Sequence, residues 1–124
     1  MALTKTSTKI LDNKTATAGN STNITDCTAV DLTSAVQMAI DVELTFDASA
    51  TAGATVEVYA SDDNTNYDTT PYDQFEVTVS PGDAVREHFV TFPAPKYIKV
   101  VVKNLDPTYN LTAISVYGIP QVVP

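Results

Sequence analysis

The sequence predicts an all-β protein: a single two-layer β-sandwich or jelly roll of about eight or nine mostly antiparallel strands. Apolar and polar residues alternate along Ala35–Phe46, and shorter stretches repeat that alternation between turn-forming residues. The alternation along Ala35–Phe46 does not give the apolar stripe, three and four residues apart, that a helix requires, and no other stretch convincingly predicts a helix. The chain of 124 residues has the length of one domain. We expect a sandwich domain over residues 24–124, preceded by an extended N-terminal arm over residues 1–23.

The longest predicted strand is Ala35–Phe46. Its even-numbered positions from Val36 onward are all apolar, and the residues between them are mostly polar. Successive side chains of a strand point to opposite faces, so one face of this strand is apolar and the other is polar. At about 3.3 Å per residue the strand would span roughly 35–40 Å, well beyond the usual length. We therefore expect it to be central to a sheet and to the core.

The N-terminal arm is rich in Thr, Lys, Asn and Ser, and its one apolar anchor is the pair Ile10 and Leu11. A short strand is predicted around Thr8–Asp12. Polar arms of this kind are often ordered by a neighbouring chain, so Ile10 and Leu11 are candidate partner contacts. The next segment, Asn23–Leu32, alternates weakly and predicts one bent strand or two short strands.

The remaining strands are shorter and are separated by segments rich in Gly, Pro, Asp and Asn. They are predicted at Thr55–Ser61, Gln74–Val79, Ala84–Phe92, Tyr97–Lys103 and Leu111–Tyr117. We predict that the last two pair with each other, with Ile98 opposite Val116 and Tyr97 opposite Tyr117. Two prolines predict an irregular tail over Ile119–Pro124.

The charge of the chain limits its partners. It carries 15 acidic and 7 basic residues, for a formal net charge of −8. Phosphate contacts need clustered Lys and Arg, so we predict binding neither to nucleic acid nor to an anionic membrane surface. No run approaches the roughly 18 apolar residues of a membrane span, and the N-terminus lacks the apolar segment of a signal peptide. We expect synthesis in a cytoplasm.

The sequence contains no catalytic motif. Cys27 and His88 are the only cysteine and histidine, too few for a structural zinc site, and nothing around Cys27 resembles an activated nucleophile. Asp41 and Glu43 share one face of the long strand, about 7 Å apart. That separation suits an inverting glycosidase, but a solvated sheet face is the ordinary place for carboxylates. We predict that the protein is not an enzyme and has no catalytic or cofactor-binding residues.

One polar loop has the spacing of a calcium site. Asp62, Asn64, Asn66 and Asp68 supply side-chain oxygens at alternate positions, as in loops that wrap Ca²⁺. The loop is not an EF-hand, because Tyr67 stands where that motif requires glycine. The alternatives are a calcium loop of another kind and a polar hairpin loop whose side chains cap their own backbone. Calcium is the only cofactor that the sequence suggests.

Three tyrosines, Tyr59, Tyr97 and Tyr117, fall on the outward phase of their predicted strands. Exposed tyrosines on a sheet face bury into partner proteins or stack on sugar rings. The alternative is cross-strand packing beneath a loop or the arm. Together with Ile10 and Leu11, these tyrosines are the candidate partner or glycan contacts.

Three segments carry a family resemblance: VEVYASDDNTNYDTTPYDQFEV, then SPGD, then FPAPKYIKVVVKNLDPTYNLTAISVYG. Together they span about Val56–Gly118 and resemble small β-sandwich proteins encoded among the virion genes of tailed bacteriophages. The resemblance implies a virion structural protein made in the host bacterial cytoplasm, most specifically a capsid decoration or auxiliary protein. Its implied partners are the major capsid protein, other virion proteins and copies of itself. A neck, tail or fibre component is the alternative.

The final strand pair carries a second resemblance. YIKVVVKN with ISVYG is similar to the closing strands of discoidin-like carbohydrate-binding jelly rolls. This resemblance implies a sugar-binding module with Tyr59, Tyr97 and Tyr117 as its platform. Such modules usually carry tryptophan, and this chain has none.

Overall fold

A computed structural model describes residues 2–123 and confirms the all-β sandwich. Met1, at the start of the predicted arm, and Pro124, at the end of the predicted domain, lie outside the described residues. The described residues form nine strands, with one turn of 3-10 helix at Ile24–Asp26. No helix in this part of the chain has the length and apolarity needed to cross a membrane. The strands are β1 Thr4–Lys5, β2 Thr8–Ala16, β3 Val30–Asp31, β4 Ala35–Phe46, β5 Ala54–Ser61, β6 Asp73–Val77, β7 Ala84–Thr91, β8 Tyr97–Asn104 and β9 Leu111–Val122.

The described strands form two antiparallel sheets. The first sheet has the order β1–β9–β4–β7, and β2 follows β1 along the same edge of β9. The second has the order β3–β8–β5–β6. As the alternation predicted, β4 is central, between β9 and β7. Apolar side chains from both sheets form the core, and the largest fully buried ones are Ile10, Leu11, Met38, Ile40, Ile98, Leu111, Ile114, Val30, Val42, Val56, Val58 and Val100.

The predicted pairing of the last two strands is wrong, because β8 and β9 lie in different sheets. β8 pairs with β5 and β3, whereas β9 pairs with β4, β2 and β1. Ile98, Val100, Ile114 and Val116 are nevertheless all buried in the common core. Two strands that face each other across a sandwich show the same alternation as two neighbours in one sheet, so the residue pattern could not separate the two arrangements.

β9 continues through Pro120, so the predicted irregular tail is wrong over residues 119–122. Proline has no backbone N–H and cannot donate to a neighbouring strand. On the outer edge of β9, β1 ends opposite Gln121 and β2 begins opposite Gly118. Pro120 therefore lies opposite the gap between β1 and β2, where that edge has no ladder partner among the described residues.

The N-terminal segment is an integral part of the first sheet. β2 is longer than the strand predicted around Thr8–Asp12 and pairs with β9 through three register shifts. Ile10 and Leu11 are 1% and 0% exposed and pack in the chain's own core. This placement corrects the prediction that these two side chains contact a partner, because the chain itself already covers them.

Gly118 leaves room for Ile10 in the core because glycine has no side chain. A Cβ at this position would lie 2.6 Å from Val30 Cγ2, 2.9 Å from Met38 Cε and 3.2 Å from Ile10 Cδ1. Overpacking a core typically costs about 1–3 kcal/mol. We expect Gly118→Ala to lower the free energy of unfolding by about 2 kcal/mol in urea denaturation. Thr112→Ala, an exposed change on the same strand, should shift it by less than about 0.5 kcal/mol. Equal stability of the two variants would contradict the close approach.

A buried polar residue, Asn104, holds the loops at one end of the sandwich. Its side-chain amide donates to the carbonyl oxygens of Ala16 (3.2 Å) and Tyr109 (2.8 Å). Its side-chain oxygen accepts from the N–H of Asp106 at 3.0 Å. Asn104 thus joins the end of β2 to the loop between β8 and β9.

Asp106 extends the same network with its carboxylate. One oxygen accepts from the N–H of Thr51 at 2.7 Å, and the other accepts from the N–H groups of Thr108 (2.8 Å) and Tyr109 (2.9 Å). These backbone donors favour the charged form and lower the pKa of Asp106 to about 2. The loop after β4 and the loop after β8 are therefore tied to one carboxylate.

This carboxylate makes stability depend on acid. Because the pKa of Asp106 is lower in the folded state, its contribution is complete above the unfolded pKa, near 3.9, and disappears as the pH falls to about 2. We expect Asp106→Asn to melt below the wild type at pH 7, and the difference to shrink between about pH 5 and pH 2. Thermal melts across that range test this. A difference that stays constant with pH would contradict the role of the carboxylate.

Candidate interaction surface

The three predicted tyrosines do not form one platform. Tyr117 lies on β9 in the first sheet, whereas Tyr59 and Tyr97 lie on β5 and β8 in the second. All three side chains are half-buried. The outward faces of the two sheets point to opposite sides of the sandwich, so a single flat ligand cannot contact all three.

On each side of the sandwich a strand lysine lies over a tyrosine ring of the same chain. Lys9 Nζ lies 5.5 Å from the centre of the Tyr117 ring, and Lys99 Nζ lies 4.8 Å from that of Tyr67. Burial raises the pKa of the Tyr59 hydroxyl. These contacts are those of cross-strand and loop packing. Partner or glycan contact through Tyr59, Tyr97 and Tyr117 stays a prediction.

Asp63, which the alternate spacing left out, organises the polar loop between β5 and β6. Its Oδ1 accepts from the N–H groups of Thr65 (2.9 Å) and Asn66 (2.8 Å) and from the hydroxyl of Ser61 (3.0 Å). Its Oδ2 accepts from the side-chain amide of Asn66 at 3.0 Å. Together these bonds hold the pKa of Asp63 well below its usual range. The loop is closed by hydrogen bonds of the kind expected for a polar hairpin loop.

The four predicted calcium ligands lie around this closed loop. Asn64 has a φ of +61°, and its side-chain oxygen accepts from the Tyr67 hydroxyl at 2.6 Å. Asp62, Asn66 and Asp68 line a shallow depression. Among residues 2–123, no three His, Cys, Asp or Glu side chains are arranged to hold a metal ion. Calcium binding through Asp62, Asn64, Asn66 and Asp68 stays one of the two alternatives that the sequence predicts for this loop, beside the polar hairpin loop.

The melting temperature tests the calcium prediction. Because the Asp63 carboxylate already accepts hydrogen bonds from the N–H groups of Thr65 and Asn66 within the loop, we expect the same melting temperature in EDTA and in millimolar calcium. A ligand bound only by the folded state must raise it. A rise with calcium that is lost in Asp62→Asn would establish the calcium loop instead. Asp12→Asn, a change at an exposed carboxylate on β2, is the matched control.

The structure does not bring Cys27 and His88 together. Cys27 is buried beside the second sheet, where its Sγ donates to the carbonyl oxygen of Val100 at 3.0 Å. Burial raises the pKa of the Cys27 thiol to about 11 and so disfavours the thiolate. His88 projects from β7 in the first sheet, with its Nε2 3.8 Å from Asp41 Oδ2.

Asp41 and Glu43 face residues on β7, and Glu43 also lines an open cleft together with Arg86. Glu43 forms an ion pair with Arg86, which is opposite it in the strand register. Asp41 lies opposite His88 and is largely covered, and its Oδ1 has no hydrogen-bond partner among the described residues. The two carboxylates therefore belong to a cross-strand row of charges on a sheet face.

One surface that the sequence did not predict is an exposed apolar region at one end of the sandwich. Val90 is 78% exposed and Phe92 is 81% exposed, although both are large apolar residues. Eight large apolar side chains are exposed within residues 2–123, and six of them lie at this end. We call this surface the apolar end, and its members are Leu3, Val36, Tyr72, Val90, Phe92 and Val123.

Strand topology brings these six residues to the same end. Val122 on β9 is opposite both Thr4 on β1 and Ala35 on β4, so the start of β1, the start of β4 and the end of β9 meet there. β7 ends beside the start of β4, since Thr91 is opposite Met38. The Tyr72 hydroxyl donates to the carbonyl oxygen of Phe92 at 3.2 Å.

Two clefts indent the apolar end, with volumes of about 340 and 320 Å³. The first is lined mostly by apolar residues, with Gln37, Thr91 and Asp73 as its polar members, and the second extends to Lys5. Gln37, Met38 and Val90 line both clefts, so they separate the cleft that Asp73 lines from the cleft that Lys5 lines. The surface is therefore an apolar depression with one charge on each side.

The apolar end could not be predicted from the sequence, because β7 carries apolar residues on both of its faces. In the stretch HFVTF, Phe89 alternates with Val90 and Phe92, and the pattern alone does not say which phase is buried. In the structure Phe89 is the inward residue: its ring stacks on Phe75 of the second sheet, 4.2 Å between ring centres. Val90 and Phe92 are left in the outward phase.

No family model matches the chain, and no curated protein matches its sequence. Among solved structures, it is similar to a chain reported under "Bacillus endospore appendages form a novel family of disulfide-linked pili", with 14% identity, a TM-score of 0.44 and coverage of 100% of this chain and 93% of that one. It is also similar to the SPBc2 prophage-derived protein YomS, with 14% identity, a TM-score of 0.47 and coverage of 98% and 96%. At this level of similarity neither match assigns a function.

Proposed function

We propose that the protein is a non-enzymatic structural component of a tailed-bacteriophage virion, and that it is a decoration or auxiliary protein bound to the capsid surface. The observation that carries the proposal is the apolar end, where Val90 and Phe92 are exposed to solvent at the end of the edge strand β7. Large contiguous apolar patches on soluble proteins mark contact sites. The protein is therefore suited to being held within an assembly.

Charge and sequence support the same proposal. A chain with a net charge of −8 is repelled by packaged DNA, which suits the outside of a capsid. The segment Val56–Gly118 carries the resemblance to phage virion proteins. The partners are the major capsid protein, other virion proteins and further copies of the chain.

Two alternatives use different features of the molecule. A neck, tail or fibre component would use the same apolar end for assembly in a different part of the particle. A carbohydrate-binding module would use Tyr59, Tyr97 or Tyr117, and the placement of these tyrosines on two opposite faces supports it less well. A glycan array with the wild type, Tyr97→Ala and Tyr117→Ala addresses the sugar alternative: binding that is lost in a tyrosine variant would favour it.

Particles purified from the phage that encodes the chain test the proposal. We expect quantitative mass spectrometry to find the chain in a fixed ratio to the major capsid protein, and electron microscopy to place it over the capsid surface. A few copies confined to the neck or tail would favour the alternative placement. Absence of the chain from purified particles would contradict the virion role.

A further inference from the structure

We propose that the apolar end is a two-fold interface through which two copies of this chain pair. The inference rests on the proposed function in one respect, since both treat the apolar end as an assembly surface. It adds the identity of the occupant, which is a second copy of the chain, and the orientation of the contact.

The position of β7 makes the apolar end accessible. Among the described residues β7 pairs on one side only, with β4, so Val90 and Phe92 lie at the outer edge of the first sheet. Val36 and Pro93 line the same cleft and extend the apolar area beyond the strand. Aromatic and aliphatic residues that fill a partner's pocket supply most of the binding energy of protein interfaces.

The distribution of charge selects this surface for self-association. Two copies that each carry −8 repel each other, so they must meet where acidic residues are few. Twelve described residues line the two clefts, and of these only Asp73 is acidic and only Lys5 is basic. The apolar end is therefore close to neutral in a strongly acidic chain.

The two charges give the surface self-complementarity. Asp73 lines the cleft on one side of Val90, and Lys5 lines the cleft on the other side. A two-fold axis through the region of Val90 places Lys5 of each copy against Asp73 of the other. An isologous interface has this property, because residue i meets residue j and residue j meets residue i. Opposite charges at the rim fix the orientation in which the apolar residues meet.

The first experiment measures association of the purified full chain by sedimentation equilibrium and native mass spectrometry. We expect a dimer, and we expect Val90→Ser combined with Phe92→Ser to raise its dissociation constant at least about tenfold. The matched control is Leu105→Ser combined with Tyr109→Ser, which removes two exposed apolar residues at other sites and should leave the dimer intact. A wild type that is monomeric at all accessible concentrations would overturn the inference.

Charge reversal tests the orientation. Lys5→Glu should weaken the dimer by placing two carboxylates in contact, Asp73→Lys should weaken it by placing two ammonium groups in contact, and the double variant should restore it. Far-ultraviolet circular dichroism checks that each variant is folded. Weakening in both single variants without recovery in the double variant would exclude the two-fold arrangement.

Cross-linking decides the question if Asp73→Lys fails to fold, since Asp73 also accepts a hydrogen bond from the Thr91 hydroxyl. Cys27 is buried, so Val90→Cys introduces an accessible thiol near the axis. With diamide as the oxidant, we expect Val90→Cys to form a covalent dimer much faster than Leu105→Cys. Equal rates would overturn the inference. The virion role would still stand if the chain were monomeric in solution and present in purified particles.

Discussion

Leu44→Asp is expected to unfold the domain. Leu44 is 2% exposed and lies on β4, the central strand of the first sheet. A carboxylate at that position would be buried without a partner, and neutralising or exposing it costs several kcal/mol. We expect a loss of about 4 kcal/mol or more, which is comparable with the whole stability of a small domain.

Circular dichroism and urea denaturation measure this effect against a matched neighbour. Glu43→Gln changes the adjacent outward residue and removes an ion pair with Arg86, whose side chain is mostly exposed. Exposed pairs contribute about 0–1 kcal/mol, so this variant should melt close to the wild type. A Leu44→Asp variant with an unchanged melting temperature would contradict the inward assignment of β4.

Asn104→Ala should produce the second large loss. Asn104 is 2% exposed. Its removal leaves the carbonyl oxygens of Ala16 and Tyr109 and the N–H of Asp106 without the hydrogen-bond partner that the Asn104 side chain supplies. Each buried polar group left without a partner costs about 1–3 kcal/mol, less where water enters. We expect a total of about 3 kcal/mol in urea denaturation and looser attachment of the loop between β8 and β9.

Asn110→Ala is the control in the same loop. Asn110 is exposed, and its side-chain oxygen accepts from the N–H of Ala18 at 3.2 Å. Its loss should cost about 1 kcal/mol or less. Similar losses in the two variants would show that Asn104 does not hold the loops together as its hydrogen bonds indicate.

The parts of the fold that the sequence predicted are those determined by local alternation. β4 was predicted with its observed bounds, and β5 to β8 were predicted to within one or two residues, because each is a run of β-forming residues between turn-forming segments. Pairing between strands was harder. Ile98 and Val116 are both inward residues, and nothing local states whether inward residues belong to one sheet or to two facing sheets.

The candidate contact residues could not be predicted for the same reason, since their burial also depends on how distant strands are arranged. Ile10 and Leu11 looked like an isolated anchor, but the space left by Gly118 accepts Ile10 within the chain's own core. Val90 and Phe92 looked like ordinary strand residues, because their exposure depends on where β7 ends relative to β4. Burial that arises between distant segments cannot be derived from the spacing within either one.

Binding to phage particles that lack the chain tests the central claim, that the apolar end joins the protein to an assembly. Co-sedimentation compares the wild type with the variant carrying Val90→Ser and Phe92→Ser, and uses the Leu105→Ser and Tyr109→Ser variant as the control. Because two copies paired through the apolar end bind the particle together, we predict that the wild type and the control bind the particles at a fixed ratio to the capsid protein. The Val90 and Phe92 variant, which cannot pair, should bind far more weakly. Equal binding by all three, with their folds intact, would contradict the claim.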